Sequence, residues 1–170
     1  MKPAIEVVDK TGLVQAEGPV VDLVAAVLGA EGASGAVAVA FVDEQVIAEL
    51  NRRFRGLKEP TDVLSFRYAS GDVDWPDWSR PEPGGEGTPF GDDTIPDLGE
   101  VIVCPEVVRR YAREERGDLG RQLSWTLMHG VLHLLGYDHE RDEGEMRLRE
   151  QALLEELDPL VSVVSLTDSR

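Results

Sequence analysis

The sequence predicts a mixed α/β (α+β) domain: one small mixed four-stranded sheet with about five helices packed over it. Three observations lead there. Hydrophobic periodicity reads in the order β-α-β-α-β-loop-β-α-α-α, which makes one sheet with helical cover the economical arrangement. The length, 170 residues, is that of one ordinary domain. Hydrophobic residues make up 42% of the chain, enough for a packed core and too many for a disordered chain. A single domain over residues 1–170 is therefore expected.

Each element has a local reason. Residues 4–8 (AIEVV) read as a strand, and 19–30 (PVVDLVAAVLGA) as a helix opened by Pro19. Residues 36–42 (AVAVAFV) form a continuous apolar run, the pattern of a strand covered on both faces. Asp43 is a good N-cap for a helix over 44–54, whose Val46, Ile47, Leu50 and Phe54 share one face. The turn RGLKEP leads into 62–68 (DVLSFRY), which alternates like a half-covered strand. Residues 69–97 hold five glycines and five prolines without a period, predicting a flexible acidic insert rather than a second domain. Its Trp75, Trp78 and Phe90 leave room for a contact role. Residues 98–103 (LGEVIV) read as a strand, and Pro105 opens a helix to about Arg116. Residues 119–135 are apolar nearly all round, so that helix is expected to be central, with Gly136 as its stop. A charged amphipathic helix follows over 142–157, and residues 159–170 are expected to fray.

Composition also excludes functions. No run of 18 or more apolar residues occurs, so no transmembrane helix is expected and no membrane partner. The N-terminus, MKPAIEVVDKTG, lacks the apolar stretch and cleavage site of a secretory signal, so a cytoplasmic location is expected. Cys104 stands alone, which precludes an internal disulfide and a multi-cysteine zinc site and fits a reducing compartment. The formal charge is −16, from 17 basic and 33 acidic residues. A protein gripping nucleic acid chiefly by phosphate neutralisation would not look like this. The deficit is uneven: residues 69–97 carry eight acidic side chains against Arg80 alone. An anionic substrate therefore needs a local basic site.

The histidines supply the strongest signal. His129, His133 and His139 fall within an 11-residue window, which random placement would produce about one time in a hundred, so the cluster reads as a site. His129 and His133 stand at i and i+4 on the predicted central helix, on one face. Gly136 then lets the chain turn back and bring His139 to the same point. Three imidazoles suit one zinc ion and leave a fourth position open, the pattern of catalytic rather than structural sites. Zinc in such a site lowers the pKa of its water to about 7. Imidazoles also accept nickel, copper and iron, so the choice of zinc is an inference from site type. The spacing H-x-x-x-H-x-x-G-x-x-H is also that of the metzincin peptidases, in which Glu follows the first His as general base. Here Gly130 occupies that place. Asp138 is the nearest carboxylate in sequence, a candidate to polarise an imidazole or accept a proton, and otherwise a turn former. Met146, in the last amphipathic helix, reads as core packing rather than a Met-turn.

HGVLHLLGYDH (129–139) and FRGLKEPTDVLSF (54–66), followed after a loop by Leu98-Gly99-Glu100-Val101, resemble the signature segments of the YbeY family. Its members are bacterial single-strand-specific metallo-endoribonucleases of ribosomal RNA maturation. The resemblance covers roughly residues 36–157. It implies a zincin-like α/β domain whose metal helix lies beside the sheet. It makes His129, His133 and His139 the ligands of one zinc ion and Arg55 the arginine of the metal cleft. The implied activity is hydrolysis of single-stranded RNA in small-subunit ribosomal RNA 3′-end maturation and ribosome quality control. Small-subunit ribosomal proteins and a ribosome-associated GTPase are the implied partners. The long acidic insert and the Leu57-Lys58 pair depart from the family pattern.

Arg55 would offer paired N–H donors to non-bridging phosphate oxygens. Arg52, Arg53 and Lys58 complete the densest basic cluster of the N-terminal half, with Phe54 and Phe66 close by, and could track a single strand. Ser65, in the same segment, joins them as a substrate-binding candidate. Arg109, Arg110 and Arg113 are interleaved with acids and read as a solvated helix face. Two rival readings remain: a metzincin-like metallopeptidase, disfavoured by Gly130, and a non-catalytic zinc-binding assembly factor whose shell Asp138 or Cys104 would close.

Overall fold

The computed structural model describes residues 4–67, 97–138 and 140–167. Its elements are β1 (Ala4–Asp9), α1 (Glu17–Ala30), β2 (Ala36–Phe41), α2 (Glu44–Arg55), β3 (Val63–Arg67), β4 (Asp97–Val103), α3 (Pro105–Glu114), α4 (Leu119–Leu134), α5 (Glu145–Glu156) and α6 (Asp158–Val161). The mixed four-stranded sheet is as expected, with one short helix more than the sequence suggested. Strand order is β1-β2-β4-β3. β1, β2 and β4 run parallel, and β3 runs antiparallel to β4, with Ser65 opposite Val101.

Side chains alternate between two apolar clusters. Val37, Val39, Phe41, Val63, Val101 and Val103 face α1 and α4, joined there by Met146, Leu153 and Leu154 of α5. Ala40, Val42, Leu64, Phe66, Ile102 and Cys104 face α2, so β3 is covered on both faces rather than one. Met146 is core packing, as its helical placement implied. Two helices start at the side-chain caps their sequences offer, whereas α1 starts at Glu17, two residues before Pro19. Asp43 accepts from the Val46 N–H at 2.9 Å, and Asp118 from the Arg121 N–H at 2.8 Å. α5 begins at Glu145 rather than 142 because the Asp142 carboxylate takes the Gly144 and Met146 N–H groups as a cap.

The C-terminal stretch differs from expectation. Residues 159–167 are packed rather than frayed: Val161, Val164 and Leu166 are buried, Leu166 bridges Val14, and the Thr167 N–H donates to the Leu13 carbonyl. These apolar side chains have no helical or strand period, so only the tertiary fold reveals what they cover. The expectations placed on residues 69–96, including Trp75, Trp78 and Phe90, lie outside the described residues. Among the described residues no helix is long and apolar enough to cross a membrane.

Candidate metal centre

α4 carries His129 and His133 on the face that opens on a cleft of about 1100 Å³. The cleft runs between the end of α2, strand β3 and the turn after α4. The opposite face of α4 lies flush on the sheet, and Gly130 is the reason. A Cβ there would stand 2.6 Å from Val101 Cγ1 and 3.1 Å from Val63 Cγ2. A side chain at the place of the metzincin general base would have to displace Val101 and Val63 of the sheet. Gly136, at φ +103°, turns the chain back after α4 in a conformation that side-chain-bearing residues rarely adopt.

The two imidazoles are oriented from behind. His129 Nδ1 lies 2.6 Å from Glu150 Oε1, and His133 Nδ1 lies 2.9 Å from the Tyr137 carbonyl oxygen. A carboxylate and a carbonyl only accept, so each Nδ1 carries the proton and each Nε2 presents its lone pair. Those two Nε2 atoms face one another at 3.1 Å. Two lone pairs at that distance repel unless a proton or a metal ion is shared between them, and imidazole nitrogens ligate zinc at about 2.0–2.1 Å. The donor set therefore fits a metal ion. His139, the third predicted ligand, lies outside the described residues.

Around this pair the Trp125 ring stacks on His129 at 4.9 Å, and its Nε1–H donates to Glu150 Oε2 at 2.9 Å. Tyr137 is held in turn: its hydroxyl donates to Glu31 at 3.3 Å, and Arg149 Nε donates to Glu31 at 2.8 Å.

The remaining predicted residues separate. Arg55, half exposed, lines the cleft, with Nη2 3.9 Å from Glu140 Oε1. Ser65 also lines it and donates to the Gly130 carbonyl at 2.9 Å. Asp138 is on the rim, where its carboxylate accepts the Glu140 N–H at 3.0 Å as a turn former does. Arg52 pairs with Glu49 on exposed helix surface, Arg53 lies over the Phe54 ring, and Lys58 is exposed in the turn; none of the three lines the cleft. Cys104 is fully buried in the α2 cluster, among Ala40, Leu64 and Ile102.

Two carboxylates of the site were missed by the sequence reading. Glu150 gives no local signal, since α5 holds several glutamates. Asp62 lay inside the quoted FRGLKEPTDVLSF segment and was not singled out. It lines the cleft, and burial pushes its carboxyl above the ordinary aspartate range against smaller opposing effects of the Thr61 hydroxyl and His129.

Comparison with known proteins agrees with this geometry. The model of a family described as Endoribonuclease YbeY matches residues 7–158. The Endoribonuclease YbeY of Moorella thermoacetica is 38% identical over 133 residues, covering 76% of this chain and 78% of the relative. That of Pelotomaculum thermopropionicum is 39% identical over 132 residues, covering 75% and 77%. The solution structure of TM1509 from Thermotoga maritima superposes with a TM-score of 0.55 at 28% identity, covering 90% of this chain and 88% of that one. With the match spanning most of both sequences and the convergent histidines on α4, the chain belongs to the YbeY family of endoribonucleases.

Proposed function

We propose that this chain is a metal-dependent endoribonuclease that hydrolyses phosphodiester bonds of single-stranded ribosomal RNA, with His129, His133 and His139 holding one zinc ion. The observation that carries this reading is the convergence of His129 Nε2 and His133 Nε2 at 3.1 Å on the wall of an open cleft. A zinc ion held there supplies Lewis-acid polarisation of a phosphoryl oxygen and of water.

The chain's own residues do the rest. Arg55 and Glu140 are 50% and 69% exposed and stand 3.9 Å apart. So loose a pair is worth little, and Arg55 can exchange that carboxylate for a phosphate at small cost. Its guanidinium then offers paired donors to the non-bridging oxygens and stabilises the charge that grows as the fifth oxygen bonds to phosphorus. Phe54 lines the same cleft, backed edge-on by Phe66 at 5.0 Å, and gives a nucleobase a ring to stack on. Arg67 and Arg141 add positive charge to the walls, while Asp62, Asp138, Glu140 and Asp142 oppose it.

That balance, together with the charge of −16, supports weak binding of naked RNA and recruitment through proteins. Small-subunit ribosomal proteins and a ribosome-associated GTPase, in the cytoplasm, are the partners we propose. The test is cleavage of a single-stranded ribosomal RNA fragment by wild type, His129→Ala and Arg55→Ala, each stripped of metal and resupplied with zinc. Cutting that requires zinc and His129 and falls sharply without Arg55 is expected. Equal activity in all three overturns the assignment.

A further inference from the structure

Helix α5 contains four glutamates, and three of them, Glu145, Glu155 and Glu156, are exposed. Glu150 is 4% exposed. A carboxylate in such a place costs several kcal/mol unless both oxygens are satisfied, and here both are. Oε1 takes the His129 Nδ1–H at 2.6 Å and Oε2 takes the Trp125 Nε1–H at 2.9 Å. The indole also lies against the His129 ring, 4.9 Å between centroids and 29° between planes. The imidazole is thus held at its back edge by a carboxylate and on one face by an aromatic ring, so neither tautomer nor tilt is free.

His133 is treated differently. Its Nδ1 meets the Tyr137 carbonyl, a neutral acceptor, and Tyr137 is braced through Glu31 by Arg149. Consecutive residues of α5 therefore support the two ligands, one directly and with charge, the other at a distance and without it.

We propose that Glu150 is a positioning residue of the metal centre: its buried carboxylate fixes His129 in the Nδ1–H tautomer and aims Nε2 at the metal, with Trp125 holding the carboxylate in place. The inference rests on the metal-site reading above. An anionic acceptor behind an imidazole raises the basicity of the ligating nitrogen as well as orienting it. Gln at this position keeps the shape but offers one acceptor to two donors.

The experiment is zinc affinity of the full-length chain, measured by competition with a chromogenic chelator, for wild type, Glu150→Gln and Glu155→Gln. Loss of such an outer partner weakens metal binding about 10–100-fold, and that loss is expected for Glu150→Gln. Glu155→Gln removes the same charge from the exposed side of the helix and is expected to bind as wild type. Glu150→Gln binding as tightly as wild type, or Glu155→Gln weakening it equally, overturns the proposal. A wild-type chain that binds no zinc overturns the metal-site reading itself, an outcome distinct from either. A second readout does not depend on the variant folding. The imidazole nitrogen chemical shifts of His129 in the metal-stripped wild type should report a proton on Nδ1, and a proton on Nε2 instead would contradict the role given to Glu150.

Discussion

The Ser65 hydroxyl donates to the Gly130 carbonyl across 2.9 Å, tying the edge strand β3 to the helix that carries both described histidines. The contact exists because Gly130 lets α4 settle onto the sheet, with Val101 and Val63 closing the space a side chain would need. Gly130→Ala is therefore expected to destabilise by about 1–3 kcal/mol, the usual cost of overpacking, despite the better helix propensity of alanine. Ser65→Ala should cost about 1 kcal/mol. Urea denaturation of the two variants checks both, and a stabilised Gly130→Ala would mean that α4 can lift from the sheet freely.

Arg55 sits at the end of α2 with its side chain half in water, so its removal should leave the fold almost untouched. We expect Arg55→Ala to change stability by no more than about 0.5 kcal/mol while lowering the single-turnover cleavage rate about 10²–10³-fold. Arg55→Lys should recover only part of the rate, because an ammonium lacks the paired, planar donors. A loss of stability comparable to the loss of rate would assign Arg55 to the scaffold.

Binding of RNA should be weak and only moderately salt-dependent. The cleft offers three cations, Arg55, Arg67 and Arg141; for single strands that predicts a slope of log K against log salt of about −2. A slope much steeper than this would show that RNA also engages Arg52, Arg53 and Lys58, outside the cleft.

The thiol of Cys104 is pushed up to about 11 by burial, from an ordinary value of 9.0. The folded chain thus holds this proton more tightly than the unfolded chain does. The contribution to stability is fully present below about pH 9 and is lost as pH rises from there towards 11, because ionisation then favours the unfolded state. Cys104→Ala should flatten that part of the stability-versus-pH curve. In the native protein, alkylation at pH 8 should be slow and should follow unfolding.

The histidine pair was legible because its information is local: a spacing of four on an apolar helix places two rings on one face whatever the tertiary fold. Arg55 was reached through the segment around it, and the strands through their apolar runs. Glu150 could not be read this way. In EMRLREQALLEE each glutamate looks alike, and only the packing of α5 beside Trp125 and His129 selects one of them. The basic cluster divides between the cleft and the surface outside it for a related reason. Arg53 stands two residues from Arg55, about 200° round the helix, and Arg52, one turn before Arg55, is paired with Glu49 instead. Asp62 was overlooked because an aspartate before a strand reads as turn chemistry until the cleft beside it is seen.

The pairing of Arg67 with Gly99 has a consequence for engineering. The partners at that rung of the antiparallel ladder are 32 residues apart in sequence, a separation in space that two residues can bridge elsewhere. The closure entropy of so long a connection exceeds that of a four-residue turn by only about 2 kcal/mol, since it grows with the logarithm of length. Strand register is thus insulated from the size of the segment. The same site should accept a shorter linker, or a folded guest whose own ends lie close together, without shifting the pairing of β3 with β4.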